Sequence, residues 1–307
     1  MLTPSNVPLP PPELADWVRT VAAEQDPRVG ATTPVVPLLT RGLPTRPYAP
    51  VHSQVYIYAG VIVKLHSPAA NRERLIRRMH CIGGPDIDRL WIQPLIYAPF
   101  EAPGDRLATI WPRVTVLATI DRPPWADIGT LLAKLHGLPI RDDPPRLGGH
   151  TRLRLAVDYL RDEGGAQLHW LVERGEELAE LLAEPTQVTL AHGDFHLGQL
   201  GHTPLRRSWK LLDVDDFGVG DPSWDLSSPA AYWAAGLLDE QAWTEFLQAY
   251  RAAGGPAVPP DADPWPALNL PAQAALLIAV TQHLRAEGSV AGAETLLVAA
   301  RRLWDQS

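Results

Sequence analysis

The run from Thr189 to Leu226, TLAHGDFHLGQLGHTPLRRSWKLLDVDDFGVGDPSWDL, arranges Asp194, Asp213, Asp215, Asp216, Asp221, Asp225 and Gln199 around two apolar, strand-like stretches. That layout suits a divalent metal held against phosphate: hard oxygen ligands, carried on loops that leave short strands. Phosphoryl transfer asks little covalent chemistry of a protein and much positioning. A site for it needs a base near the acceptor hydroxyl and oxygen ligands for magnesium.

Both are present in the run. Asp194 closes an H-G-D triplet with His192 and Gly193, and Gln199 stands five residues further on. In the kinase catalytic loop an aspartate is followed at this interval by a metal-binding asparagine. Gln199 is one methylene longer and presents the same amide oxygen. Downstream, Trp209–Leu212 reads as a short apolar strand ending on Asp213, which puts a carboxylate at a strand terminus.

The H-G-D-x-x-x-x-[NQ] loop, the strand ending in L-L-D-V-D-D and the following G-D-P-x-x-D-L resemble the aminoglycoside phosphotransferase family, a branch of the protein-kinase-like fold. The HGDFHLGQ wording is also similar to maltokinase-type sugar kinases. The resemblance is dense over about 40 residues and thinner elsewhere. It implies an α+β, bilobal, kinase-like fold, with a β-rich nucleotide-binding lobe over residues 1–113 and a larger, mainly helical lobe over 114–307. It also implies ATP or GTP as phosphoryl donor, Mg2+, and a hydroxylated small molecule such as an aminoglycoside or sugar as acceptor. Asp194 becomes the catalytic base. Asp213 is the principal metal ligand, with Gln199 as second ligand and Asp215 as helper. Asp216-Phe217-Gly218 spells the kinase D-F-G, but in the phosphotransferase pattern the metal aspartate ends the strand, so Asp216 receives no metal role. Asp225 is expected to accept hydrogen bonds from the catalytic-loop backbone, Asp221 to start a turn or helix before Pro222, and His192 to shape the loop.

Composition narrows the alternatives. A chain of 307 residues with 46% hydrophobic content can build a substantial core in two lobes. The net charge of −8 argues against nonspecific nucleic-acid binding, which rests on Lys and Arg meeting phosphates. One cysteine, Cys81, cannot form an intrachain disulfide or a cysteine-paired zinc site. No signal-peptide pattern opens the sequence and no run of about 18 apolar residues occurs, so the expectation is a soluble, cytoplasmic protein without a membrane partner.

Along the chain, Glu13–Glu24 reads as a helix, and Val35–Leu39, Gln54–Tyr58 and Val61–Leu65 as strands, with Ala59-Gly60 short enough for a hairpin turn. A helix over Asn71–Met79 and strands near Leu90–Tyr97 and Leu107–Trp111 complete the order of a kinase-like small lobe. Helices follow over Trp125–Leu138, Leu153–Arg161, Ala166–Ala183, Tyr232–Leu238, Glu240–Ala253, Pro271–Glu287 and Ala291–Trp304.

In Val61–Leu65 the alternation sets Lys64 opposite Val61, Val63 and Leu65, so it can reach a cleft. In kinase-like enzymes such a lysine grips nucleotide phosphates and pairs with a helix glutamate, and Glu73 is the first acidic residue after it. No G-x-G-x-x-G precedes Lys64. The Ile110–Val114 segment falls where the lobes join. Pro112 has no N–H to offer adenine, which leaves Arg113 or Val114 as donor. His196 either contacts phosphate or acceptor or packs locally, and His136 is an interior histidine. Tyr232, Trp233, Asp239 and Glu240 occupy the region where acceptors bind in such kinases, or form an ordinary helix with core aromatics. Two rivals stand beside the kinase reading: a metallophosphoesterase, from the G-D-F-H wording but without its G-N-H-[DE] or an early D-x-H, and a pseudokinase-like nucleotide binder, from the missing glycine loop and the substituted asparagine.

Overall fold

The computed structural model describes residues 12–25, 35–37, 53–117, 122–203, 208–287 and 293–305. These divide into two compact units, one within 1–116 together with 201–212, the other within 117–200 together with 213–307.

The first unit is built on an antiparallel sheet in the order β1-β2-β3-β5-β4. β2 (Gln54–Tyr58) and β3 (Val61–Leu65) form the expected hairpin with Tyr58 opposite Val61, and Ala59 takes a positive φ of 53° to close its two-residue turn. β5 (Arg106–Pro112) runs along the other side of β3, with Lys64 opposite Thr109. β1 (Val36–Pro37) and β4 (Phe100–Ala102) are the outer strands. The helix α1 (Pro12–Ala23) lays Leu14, Val18 and Ala22, a four-residue repeat, against Tyr56, Tyr58, Val61, Val63 and Leu65. The alternation of β3 therefore gives one face to this core and leaves Ile62 and Lys64 on the other. α2 (Arg72–Ile82) is capped by Asn71, whose side chain accepts the Arg74 N–H at 2.8 Å.

Two details of the unit depart from the sequence expectation. Leu90–Tyr97 is not a strand. Trp91 makes a single parallel bridge to Leu211, and the Leu95 N–H reaches the Ile110 carbonyl at 2.8 Å. Pro94 between them has no N–H for a ladder. A small sheet also joins β6 (Thr115–Val116), β8 (Leu200–His202) and β9 (Lys210–Leu211), with Thr115 opposite His202, which draws residues 201–212 into this unit.

The second unit is mainly helical. α4 (Gly149–Glu163), α5 (His169–Leu181) and α8 (Trp265–Glu287) share a core of Leu153, Val157, Leu160, Leu171, Leu178, Leu277 and Val280. α3 (Trp125–His136) packs along α7 (Glu240–Ala252), and α9 (Glu294–Asp305) packs on α8. Two short strands, β7 (Thr189–Ala191) and β10 (Gly218–Gly220), pair antiparallel with Ala191 opposite Gly218. α6 covers Ser223–Ala234 where the sequence suggested Tyr232–Leu238, and α8 starts six residues before Pro271. Both helices contain an interior proline, Pro229 and Pro271, which reads as a breaker in sequence but is tolerated within these packed helices. Among the described residues, no helix is long and apolar enough to cross a membrane.

Candidate active site

The H-G-D loop leaves β7 at Ala191 and turns at once. Gly193 has φ 83°, and a methyl there would stand 2.5 Å from the Asp216 carbonyl oxygen, so the position requires glycine twice over. The turn is fastened from below by Asp225 on α6. Its Oδ2 accepts the His192 N–H at 2.7 Å and its Oδ1 the Gly193 N–H at 2.7 Å. Asp225 also lies 3.0 Å from His136 Nε2, and both side chains are fully buried. On the other side of that ring, His136 Nδ1 is 2.8 Å from the Tyr250 hydroxyl, which accepts the Ala257 N–H at 3.0 Å.

The proton order along this chain follows from physics. Burial pushes the Tyr250 pKa up, so the phenol keeps its proton and donates it to His136 Nδ1. Nε2 then carries the single ring proton and donates it to Asp225. For Asp225, burial acts to raise the pKa, but the hydrogen bonds from His136 and the backbone donors outweigh it, and the carboxyl stays below the ordinary aspartate range. It is an ionised acceptor bound on both oxygens.

Asp194 is presented just above, half-buried, with its N–H on His192 Nδ1 at 3.3 Å. His192 itself is buried and sits edge-on to Phe195. The Asp194 carboxylate is held by Arg152 Nη1 from the second turn of α4, and Arg152 Nε lies 3.6 Å from Asp216 Oδ2. Burial alone would lower the Arg152 pKa; Asp194, Asp216 and more distantly Asp213 reverse that and hold it above the usual value. The guanidinium is a fixed cation among three carboxylates.

Asp213 has φ 63°, and its Oδ1 turns back to accept the N–H groups of Val214 and, at 3.0 Å, Asp215. This short turn is what carries Asp213 and Asp215 out of the strand direction, both half-buried. Gln199, buried, ends a 3-10 turn (Leu197–Gln199) that His196 caps by accepting the Gly198 N–H on Nδ1 at 3.0 Å. Asp221 accepts the Thr186 N–H at 2.9 Å, the Thr186 hydroxyl at 2.6 Å and the Ser223 N–H at 2.9 Å, tying the start of α6 to the strand approach.

The four residues at the end of α6 and the start of α7 separate. Tyr232 lies on the Asp194 side: burial first, then the Asp194 charge, raises its pKa. Trp233 stacks on Trp243 at 5.3 Å between ring centroids and donates from Nε1 to Glu240 Oε2 at 2.6 Å. Both line a cavity of about 270 Å³ together with Trp265, Arg251 and Asp263. Asp239 caps α7, accepting the Ala242 N–H at 2.8 Å.

In the first unit, Lys64 is 8% exposed. Opposite it, Thr109 Oγ1 meets His66 Nε2 and accepts from Trp111 Nε1, each at 2.8 Å, so the lysine stands on a buried polar face. Glu73 is exposed in the first turn of α2. The Arg113 N–H is already bonded to the Gly60 carbonyl at 2.8 Å, and its side chain to the Ala59 carbonyl at 3.3 Å; Val114 is half-buried beside it.

Sequence reading passed over Arg152 and assigned Asp216 no partner. The available signal was Gly148-Gly149 ahead of a helix: a methyl at Gly148 would lie 1.8 Å from Asp216 Oδ1. Only glycine lets α4 start this close to Asp216, and Arg152 follows one turn later, its N–H on the Gly148 carbonyl at 3.0 Å.

Residues 122–268 match the model of the phosphotransferase enzyme family. Over those residues the chain is similar to phosphotransferases of this family. The match contains the H-G-D loop, the Asp213 turn, Arg152 and both helices that carry the Asp225–His136 pair. Solved structures extend the likeness to nearly the whole chain. A choline/ethanolamine kinase family protein from Mesorhizobium loti is 17% identical with a TM-score of 0.56, covering 95% of this chain and 92% of its own. Choline kinase LicA from Streptococcus pneumoniae is 13% identical with a TM-score of 0.59, covering 94% and 99%. The GDP and kanamycin complex of APH(2")-IIIa is 11% identical with a TM-score of 0.56, covering 94% and 97%. At these identities the likeness shows the fold, and the chain has the kinase-like one. No curated protein matches the sequence.

Proposed function

We propose that this protein is a phosphotransferase that moves the γ-phosphoryl group of ATP or GTP to a hydroxyl of a small molecule, with Asp194 as the base. The observation that carries the reading is the presentation of Asp194. Its carboxylate is half-exposed at the end of a loop whose backbone is fixed by a buried, ionised Asp225, while the Asp213 turn sits within electrostatic reach of the same Arg152. Asp194 orients the acceptor hydroxyl and takes its proton late, when the phosphoryl group has largely left the nucleotide. Lys64 is assigned to the nucleotide phosphates. With the Arg113 N–H committed to Gly60, Val114 is the backbone donor assigned to adenine.

The donor set fits magnesium. Among the described residues no three His, Cys, Asp or Glu side chains converge into a metal cage. Magnesium does not need one, since it is bound by one or two carboxylates and completed by water and phosphate oxygens. Asp213 and Gln199 would hold it, with Asp215 beside them; when bound, it neutralises charge on the transferring phosphates. A solved kinase-like structure binds GDP with kanamycin, and others act on choline. Tyr232 near Asp194 supplies an aromatic wall for either kind of acceptor. The test is a coupled nucleotide-consumption screen with aminoglycosides, choline, and mono- and disaccharides. Acceptor-dependent consumption supports the reading, and nucleotide binding without transfer to any acceptor or to water contradicts it.

A further inference from the structure

Arg152 belongs to none of the motif positions, yet its guanidinium joins Asp194 to Asp216. We infer that Arg152 is a positioning residue for the base: it fixes the Asp194 carboxylate toward the acceptor, and the Asp216 of D-F-G serves as its anchor and not as a metal ligand. The inference rests on the reading of Asp194 as base.

The geometry makes the three residues one unit. Arg152 Nη1 donates to Asp194 Oδ1, and Nε faces Asp216 Oδ2 at 3.6 Å. Asp216 is in turn held by its backbone, whose carbonyl accepts the Gly148 N–H at 2.9 Å at the start of the helix that bears Arg152. The arginine therefore reaches Asp194 from a helix, braced by a residue that packs on that same helix. A guanidinium is planar with five N–H donors, so gripping one carboxylate oxygen while facing a second carboxylate sets the plane of both. Asp194 has two rotatable bonds, and without a partner its oxygens would sweep past the acceptor hydroxyl. A misplacement of about 1 Å costs on the order of 100-fold in such chemistry. His196, two residues past Asp194, spends Nδ1 on the Gly198 N–H.

The test uses the full chain with Mg·ATP and Mg·GTP and water as the phosphoryl acceptor. In Arg152→Gln we expect kcat to fall about 100-fold with nucleotide KM changed less than threefold. Arg152→Lys should retain part of the loss, and guanidinium ion at tens of millimolar should partly restore Arg152→Ala without accelerating the unaltered protein. Asp216→Asn should lower kcat about tenfold, leave the magnesium requirement unchanged, and cost nothing further in the Arg152→Gln background. If Arg152→Gln does not fold, Arg152→Lys and the Asp216→Asn magnesium titration carry the same decision. Arg152 variants turning over within twofold of the unaltered protein overturn the inference. So does an Asp216→Asn defect that persists beside Arg152→Gln or is relieved by magnesium. Asp194→Asn separates the two readings: if it abolishes turnover while Arg152→Gln does not, only this inference fails, and if it turns over normally, the functional reading fails with it.

Discussion

Replacing Asp225 by asparagine keeps the shape of the side chain and removes one acceptor and the charge. The carboxylate now serves three donors, the N–H groups of His192 and Gly193 and His136 Nε2. An amide oxygen in the place of Oδ2 can keep His192 and His136, but the new NH2 then faces the Gly193 N–H and leaves that buried donor unsatisfied. That costs about 1–3 kcal/mol, and loss of charge from the two surviving bonds about 1 kcal/mol each, roughly 4 kcal/mol in all. Against a net stability of about 5–15 kcal/mol this is large. With a urea slope of about 2–3 kcal/mol/M, the denaturation midpoint should fall by about 1.5 M. The effect has a pH signature. Asp225 has a depressed pKa in the folded protein, so its contribution is present above the unfolded value near 3.9 and is lost as pH falls through the folded value. The difference between the two proteins should therefore be full at neutral pH and shrink below about pH 4. A midpoint at pH 7 within about 0.2 M of the unaltered protein would refute the assignment of Asp225 as an ionised brace for the loop, given the slope above.

Three further outcomes follow from the same contacts. Gly148→Ala places a methyl 1.8 Å from Asp216 Oδ1 and should cost about 1–3 kcal/mol by thermal denaturation while also slowing turnover, since α4 carries Arg152; unchanged turnover would show that α4 does not set the site. Tyr250→Phe strands His136 Nδ1 and the Ala257 N–H and should destabilise by about 2–4 kcal/mol in urea titration, with a loss below 1 kcal/mol contradicting the proton order given above. Lys64→Ala should raise the nucleotide KM at least tenfold in the coupled assay, and an unaltered KM would remove Lys64 from the phosphate site.

What could be read from sequence was what repeats or what chemistry spaces. β2 and β3 were legible residue for residue because Val61, Val63 and Leu65 alternate with Ile62 and Lys64 and a two-residue turn fixes their register. The Leu90–Tyr97 stretch misled because its apolar residues serve one bridge and one isolated hydrogen bond instead of a ladder. α6 was placed late because Pro229 hides a helix whose start is marked by Asp221 and Pro222. In the site, the H-G-D loop and the Asp213 turn are local in sequence, so spacing exposes them. His136 reaches Asp225, the brace beneath the loop, across 89 residues and Arg152 reaches Asp194 in the loop across 42, and no local pattern encodes such partners. The trace they leave is indirect: a glycine pair at 148–149 that only a close approach explains. Asp239 shows the reverse case, a carboxylate in the expected acceptor region whose work is to cap a helix.

The central claim is that Asp194 acts on the acceptor and not on the nucleotide. The most direct measurement compares the unaltered protein with Asp194→Asn for nucleotide affinity, by fluorescence titration with Mg·ATP and Mg·GTP, and for phosphoryl transfer in a single turnover. The account predicts a nucleotide Kd within about threefold and a transfer rate lower by at least about 1,000-fold. Transfer at a near-normal rate in Asp194→Asn would contradict it.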